Sequence, residues 1–146
     1  MTARFRVIED VALADAAFEA SGDSPSELCE AAARALIETL ADPATIAPDW
    51  SHRVSLHAVD LPDLLFDWLS ELVYLKDAEA VVFREISPLV VDGRPGSEWS
   101  LTATVTGARI DPVRQDLRAD VKAVTKHLYE VKQDGTQWVA RVVLDI

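Results

Sequence analysis

The run Trp138-Val139-Ala140-Arg141-Val142-Val143-Leu144-Asp145-Ile146 stays apolar and β-branched to the final residue, where chain ends ordinarily fray as polar tails. A segment of this kind has to be held in a sheet. One neighbour is supplied locally: a strand pattern over 121 to 132 leads through Gln133-Asp134-Gly135-Thr136, in which Asp-Gly marks a tight hairpin turn. Holding the end in a sheet also fixes the Asp145 side chain within one residue of the α-carboxylate of Ile146. A fixed pair of carboxylates can bind a cation.

The rest of the chain reads as alternating short elements. Residues 4 to 8 and 14 to 20 are strand-like around a turn at Glu9 and Asp10, and Ser21-Gly22-Asp23 breaks the pattern. Ser24-Pro25-Ser26-Glu27 supplies an N-cap, a first-turn proline and a capping-box glutamate. Leu28, Ala32, Ala35, Leu36 and Leu40 follow at helical spacing, so a helix is expected over 25 to 41. Val54, Leu56 and Ala58 alternate with Arg53, Ser55 and His57 as in a half-buried strand. Asp60 caps a second helix from Leu61-Pro62 to about Ala78, with Leu65, Trp68, Leu69, Leu72, Val73 and Leu75 as a wide apolar stripe. Strands at 81 to 91, broken by Ser87-Pro88, and at 98 to 106 flank the hairpin loop Asp92-Gly93-Arg94-Pro95-Gly96. The stretch 107 to 119 is irregular.

Seven strands and two helices, with consecutive hairpins in the second half, define an α+β class. The expected architecture is a mixed, largely antiparallel sheet carrying both helices on one face, with one parallel pairing allowed by the strand–helix–strand order of the first half. A chain of 146 residues, 49% of them hydrophobic, fits a single layered domain over 1–146 that buries roughly two thirds of its unfolded surface. No stretch approaches the ~18 uninterrupted apolar residues of a membrane helix, and the start Met1-Thr2-Ala3-Arg4 runs straight into a strand pattern rather than a signal peptide. A soluble, cytoplasmic protein is expected, with no membrane partner.

Composition also narrows the chemistry. The net charge of −11, with lysine only at 76, 122, 126 and 132, disfavours direct RNA or DNA binding, which needs a basic face. The acidity fits either high intracellular salt or general solubility. The single cysteine, Cys29, falls on the apolar face of the first helix and reads as a core thiol. Glycine-rich phosphate loops, Cys-x-x-Cys, His-Glu-x-x-His and Gly-x-Ser-x-Gly are all missing from the sequence. His52, His57 and His127 are assigned to polar strand faces, His127 sharing a segment with Lys122 and Thr125. Carboxylates are the remaining resource. Asp15 interrupts the apolar stretch Val11-Ala12-Leu13-Ala14-Asp15-Ala16-Ala17-Phe18, so it is hydrogen-bonded, paired with a cation or bound to a metal if buried, or else points outward from a strand edge. Were the last strand beside the second, Asp15, Asp145 and the Ile146 carboxylate would form an oxygen-only cluster suited to Ca2+, Mg2+ or Mn2+. Strand alternation groups Lys122 with Val124 and Lys126, opposite Val121, Ala123, Thr125 and His127. Lys122 reads either as a solvated lysine or as a cation for a partner's phosphate or a nearby carboxylate.

Four segments together are similar to one known family: Ala14-Asp15 before Gly22, Asp63-Leu64-Leu65-Phe66-Asp67-Trp68-Leu69-Ser70-Glu71-Leu72, Val121-Lys122-Ala123-Val124-Thr125 with His127, and the closing Trp138 to Ile146. The chain resembles archease, the accessory protein of the RtcB-type RNA ligase of tRNA splicing and RNA repair, over nearly its whole length. The resemblance implies a protein that is no enzyme itself but promotes the ligase's guanylylation by GTP and its turnover. It implies a divalent cation, Ca2+ first, held by Asp15, Asp145 and Ile146, and a functional lysine at Lys122. Two family histidines are replaced here, at Ala12 and at Gln115, which removes nitrogen donors from the expected site. On the residues alone two rivals stay open: a metal-dependent hydrolase or nucleotide-processing enzyme using the same carboxylates, and a metal-free chaperone-like binding module.

Overall fold

A computed structural model describes residues 3–8 and 15–146. The elements in chain order are β1 (Arg4–Ile8), β2 (Asp15–Gly22), α1 (Pro25–Leu40), a short 3-10 turn (Pro43–Thr45), β3 (Trp50–Ala58), α2 (Leu61–Glu79), β4 (Val81–Asp92), β5 (Trp99–Arg109), β6 (Ala123–Asp134) and β7 (Gln137–Asp145). Both helices start at the expected caps. Ser24 Oγ accepts from the Glu27 N–H at 3.1 Å and Asp60 Oδ1 accepts from the Asp63 N–H at 2.9 Å, satisfying donors that the first helical turn leaves open. α2 closes on Ala80 in the left-handed region, φ 52°, the usual geometry of a helix C-terminus.

The strands form two sheets, ordered β1-β2-β7-β6 and β3-β5-β4, and every pairing among the described residues is antiparallel. The α+β class therefore holds, but the single sheet and the parallel pairing do not. The division falls in the 110–122 connection, which bonds to the end of α1: Arg118 N–H donates to the Leu40 carbonyl and Ala119 N–H to that of Thr39. Backbone groups used in this way cannot extend a ladder from β5 to β6. Pro88 also behaves differently from expectation. β4 runs through it, and only its register with β5 slips, between Ile86 and Leu89, a bulge of the kind that tolerates proline.

The two helices touch each other, and each touches both sheets: α1 lies against β1, β2, β7 and β4, and α2 against β6, β3, β5 and β4. One continuous core results, with Phe18 and Leu144 from the first sheet, Val54 and Leu101 from the second, and Leu36 and Trp68 from the helices. Trp68 is fully buried, and its indole N–H donates to the Cys29 carbonyl at 3.1 Å, which provides the partner a buried indole requires. The turn around Glu9 and Asp10, and Ala12 with it, lies outside the described residues.

Gly107 marks the tightest approach within the second sheet. It pairs with Trp50 on β3, and a Cβ at this position would sit 2.1 Å from the Val82 carbonyl oxygen of β4. Because that neighbour is backbone in the adjoining strand, it cannot move aside without breaking the ladder. Gly107→Ala is expected to destabilise the fold by about 2–3 kcal/mol, in the upper range of core overpacking, measured as a lower midpoint in urea with an unchanged slope.

Candidate functional site

β7 brings the expected residues together. In the β2–β7 ladder Asp15 lies directly opposite Asp145, followed by Ala16 opposite Leu144 and Ala17 opposite Val143. Ala16, Phe18, Ala20, Leu144, Val142 and Ala140 face the helices, so alternation places Asp15 and Asp145 on the other face. On the far side of β7, Asp145 pairs with Ala123 of β6, and the Lys122 N–H donates to the Asp145 carbonyl at 2.7 Å. Ile146 continues past the pair with its side chain packed against the core. Asp15, Lys122, Asp145 and Ile146 thus share one end of one sheet.

The electrostatics of this end are unfavourable as they stand. Residues directly opposite across an antiparallel ladder have Cβ atoms about 4.5–5.5 Å apart, and like charges there repel. Both carboxylates are only half-buried, and among the described residues neither accepts a hydrogen bond nor joins an ion pair. The donor set is all oxygen, the kind a hard divalent cation takes. It is also short of a complete shell: no three His, Cys, Asp or Glu side chains converge anywhere among the described residues.

Several sequence expectations need adjustment here. Lys122 is exposed and precedes β6, so it does not alternate within the strand. Val124 and Lys126 do share a face: Val124 enters the core, and the Lys126 ammonium lies 3.9 Å from the Phe66 ring centroid of α2. The β6–β7 register slips between Thr125 and Glu130, leaving Lys126, His127 and Leu128 exposed. His52 has the parity of Val54 yet is exposed, its ring stacked on Trp50 at 5.8 Å; His57 is exposed beside Glu98. Gln115, one of the two positions where the resemblance led to an expectation of histidine, braces its own loop: its side-chain amide donates to the Arg109 carbonyl and accepts from the Asp111 N–H, both at 2.8 Å. A cavity of about 500 Å3 between the start of β3 and this loop is lined by Trp50, Arg109 and Arg114, and includes neither Asp15 nor Asp145. Cys29 is fully buried, which pushes its thiol up to about 12, as expected of a core thiol and not of a nucleophile.

The apolar stripe of α2 also carries a buried charge. Lys76 is 4% exposed and paired with Asp77 at 2.8 Å and with Asp120, two residues before Lys122. The signal was present, since 76 follows Leu72 by four and Val73 by three and so falls on the apolar stripe of α2. Burial alone would lower its pKa, but the hydrogen bonds and charges of Asp120 and Asp77 outweigh it and hold the ammonium above its ordinary 10.5.

These features define a small α+β protein with two antiparallel sheets around a helix pair and a carboxylate pair beside a lysine at one sheet end. The chain belongs to the archease family: the family model described as Archease protein family (MTH1598/TM1083) matches residues 5–146. It is 36% identical over 133 residues to a protein archease of Methanosarcina barkeri, covering 91% of this chain and 90% of that one. It is 31% identical over 133 residues to one of Methanopyrus kandleri, covering 91% and 94%. The solution structure of Methanobacterium thermoautotrophicum protein 1598 superposes with a TM-score of 0.80 at 31% identity, over 97% and 98% of the two chains. The crystal structure of an archease, possible chaperone, from Thermotoga maritima shares the fold, with a TM-score of 0.61 at 24% identity over 97% and 98%. No helix among the described residues is long and apolar enough to cross a membrane.

Two measurements follow from the site's charges. Asp15→Asn removes one of two facing like charges, so without divalent ions it is expected to stabilise the fold by about 0.2–1 kcal/mol; the gain, read by thermal melting, shrinks as salt is added. For Lys76 the raised pKa means that stability from its pairing is fully present below its ordinary value of 10.5 and is lost as pH rises through the folded value. The stability of wild type relative to Lys76→Met should therefore stay level from pH 7 to 9 and fall above about 10.5, in denaturant titrations across that range.

Proposed function

We propose that this chain is an accessory factor for an RtcB-type RNA ligase, stimulating the ligase's GTP-dependent guanylylation and turnover and leaving the catalysis to the ligase. The observation that carries the reading is the alignment of Asp15 opposite Asp145 with Lys122 bonded to the Asp145 backbone, in a chain of the archease family. Asp15, Asp145 and the Ile146 carboxylate would hold a divalent cation, Ca2+ first and Mg2+ or Mn2+ next, since all three present hard oxygens. Bound there, such an ion would offset the charge of the facing carboxylates.

Lys122 adds an exposed lysine at the same sheet end, suited to a phosphate or a carboxylate on the partner. The net charge of −11 supports recognition of the ligase rather than direct grip on RNA. Reconstitution with an RtcB-type ligase and GTP tests the reading. Asp145→Asn and Lys122→Ala are each expected to lower stimulation of guanylylation by at least about tenfold, with circular dichroism unchanged. A peptide extension beyond Ile146, which removes a carboxylate from that position, should do the same. Undiminished stimulation by all three proteins would overturn the proposal, and turnover of GTP or RNA without a ligase would favour an enzyme instead.

A further inference from the structure

The segment 116–122 runs as a strap from the end of α1 to the carboxylate pair. At its start Asp42 N–H donates to the Asp116 carbonyl at 2.9 Å, and the Asp116 N–H donates to Thr45 Oγ1 at 3.0 Å. In its middle Arg118 and Ala119 give their N–H groups to the Leu40 and Thr39 carbonyls at 2.9 and 3.1 Å, and the Arg118 guanidinium reaches the Glu38 carbonyl at 2.9 Å. At its far end Val121 is fully buried and the Lys122 N–H meets the Asp145 carbonyl at 2.7 Å. Between these anchors Leu117 bridges to Ala41 and packs against the core. An open depression of about 240 Å3, lined by Leu40, Lys76, Val82, Leu117 and Asp120 among others, borders the strap. Lys76 crosses to Asp120 at this point.

A lysine is a costly choice on a helix stripe otherwise made of leucine, valine and tryptophan, because its charge must be desolvated. An apolar residue at 76 would pack the stripe equally well. It could not hold Asp120, which is itself exposed and so has no packing of its own to fix it. Buried ionic groups that add little net stability can still select one arrangement of the chain, and the arrangement at stake is the height of Lys122 relative to the Asp15–Asp145 pair. We propose that Lys76 is a positioning residue for this end of the sheet, clamping Asp120 so that the strap delivers Lys122 to its bond with Asp145. The inference rests on the accessory-factor reading for its functional consequence, and on the geometry of the strap alone for its structural one.

Three variants of the full chain test it: Lys76→Met, Asp120→Asn and the conservative Lys76→Arg. Amide hydrogen exchange at pH 7 reads the clamp without a ligase or a metal. Lys76→Met and Asp120→Asn are expected to speed exchange of the Lys122 N–H by about tenfold or more, while amides of the β2–β7 ladder stay within about twofold of wild type and Lys76→Arg restores protection. In the guanylylation assay the same two variants should raise the half-saturating concentration of this protein by about five- to tenfold with the plateau kept, as a displaced but intact group does. Three results overturn the inference: unchanged exchange at Lys122 in both variants, acceleration spread evenly over the sheet together with a lower melting temperature, or selective acceleration with wild-type half-saturation. Asp145→Asn in the same assay separates the failures. Stimulation indifferent to Asp145→Asn overturns the functional reading of the sheet end, whereas stimulation sensitive to it but indifferent to Lys76→Met and Asp120→Asn overturns the clamp alone.

Discussion

β7 has a hydrogen-bonding partner along each edge, β2 on one side and β6 on the other, and much of the molecule is arranged around that circumstance. An interior strand is desolvated along its whole backbone, so it needs residues that fill both faces, and Val142, Val143 and Leu144 are all buried. Its pairing with β2 ties together segments more than a hundred residues apart, from Asp15 with Asp145 to Gly22 with Trp138. Take the strand away and the first sheet separates into the β1–β2 pair and an unsupported β6. The same pairing sets two carboxylates face to face, so the contact that secures the fold also brings like charges together.

That discomfort is local and affordable because it borders the core. One step inward from the facing aspartates, Ala16 meets Leu144 on the face packed against the helices, so the ladder is held by apolar burial up to the last pair. Charge around the site is unevenly distributed as well. Of the four lysines in a chain of net charge −11, one is buried at 76 and the other three lie on or just before β6, the strand that borders β7. Of these three, Lys122 lies at the carboxylate end, Lys126 sits over the Phe66 ring, and Lys132 pairs opposite Val139 toward the hairpin turn, beside Glu130.

Much of this was legible in the residues. The caps at Ser24 and Asp60, the stripe on α2, the Asp-Gly turn before Gln137 and the strand character of the chain's end each follow from local rules, and both helices and β7 start where expected, while β3 starts three residues before Arg53. Sheet membership was not legible, because alternation tells which face of a strand is buried but not which strand lies beside it. The division into two sheets depends on the 110–122 connection, whose residues bond to a helix end seventy to eighty positions earlier. Asp15 and Asp145 could be named as candidates from an interrupted apolar run and an acidic penultimate position, yet only the β2–β7 register makes them neighbours. Alternation puts Lys122 within a strand because the pattern of Val121 to His127 continues outward past Ala123, where β6 starts. Lys76 is hard to read for the opposite reason, a charged residue concealed by the apolar stripe that surrounds it.

The end of α1 carries a consequence for how the molecule is assembled. The helix closes without a glycine and without a basic residue in its last turn, on Ala41 in an extended conformation. Its carbonyls at Glu38, Thr39 and Leu40 are met by Arg118 and Ala119, which enter the chain about eighty residues later. Until β5 and the strap are in place, the final turn of α1 faces water with its acceptors open, and closing so long a loop is slow relative to local helix formation. The last turn of α1, the strap and the carboxylate end of the sheet therefore belong to one cooperative unit, completed only when the C-terminal half of the chain has docked.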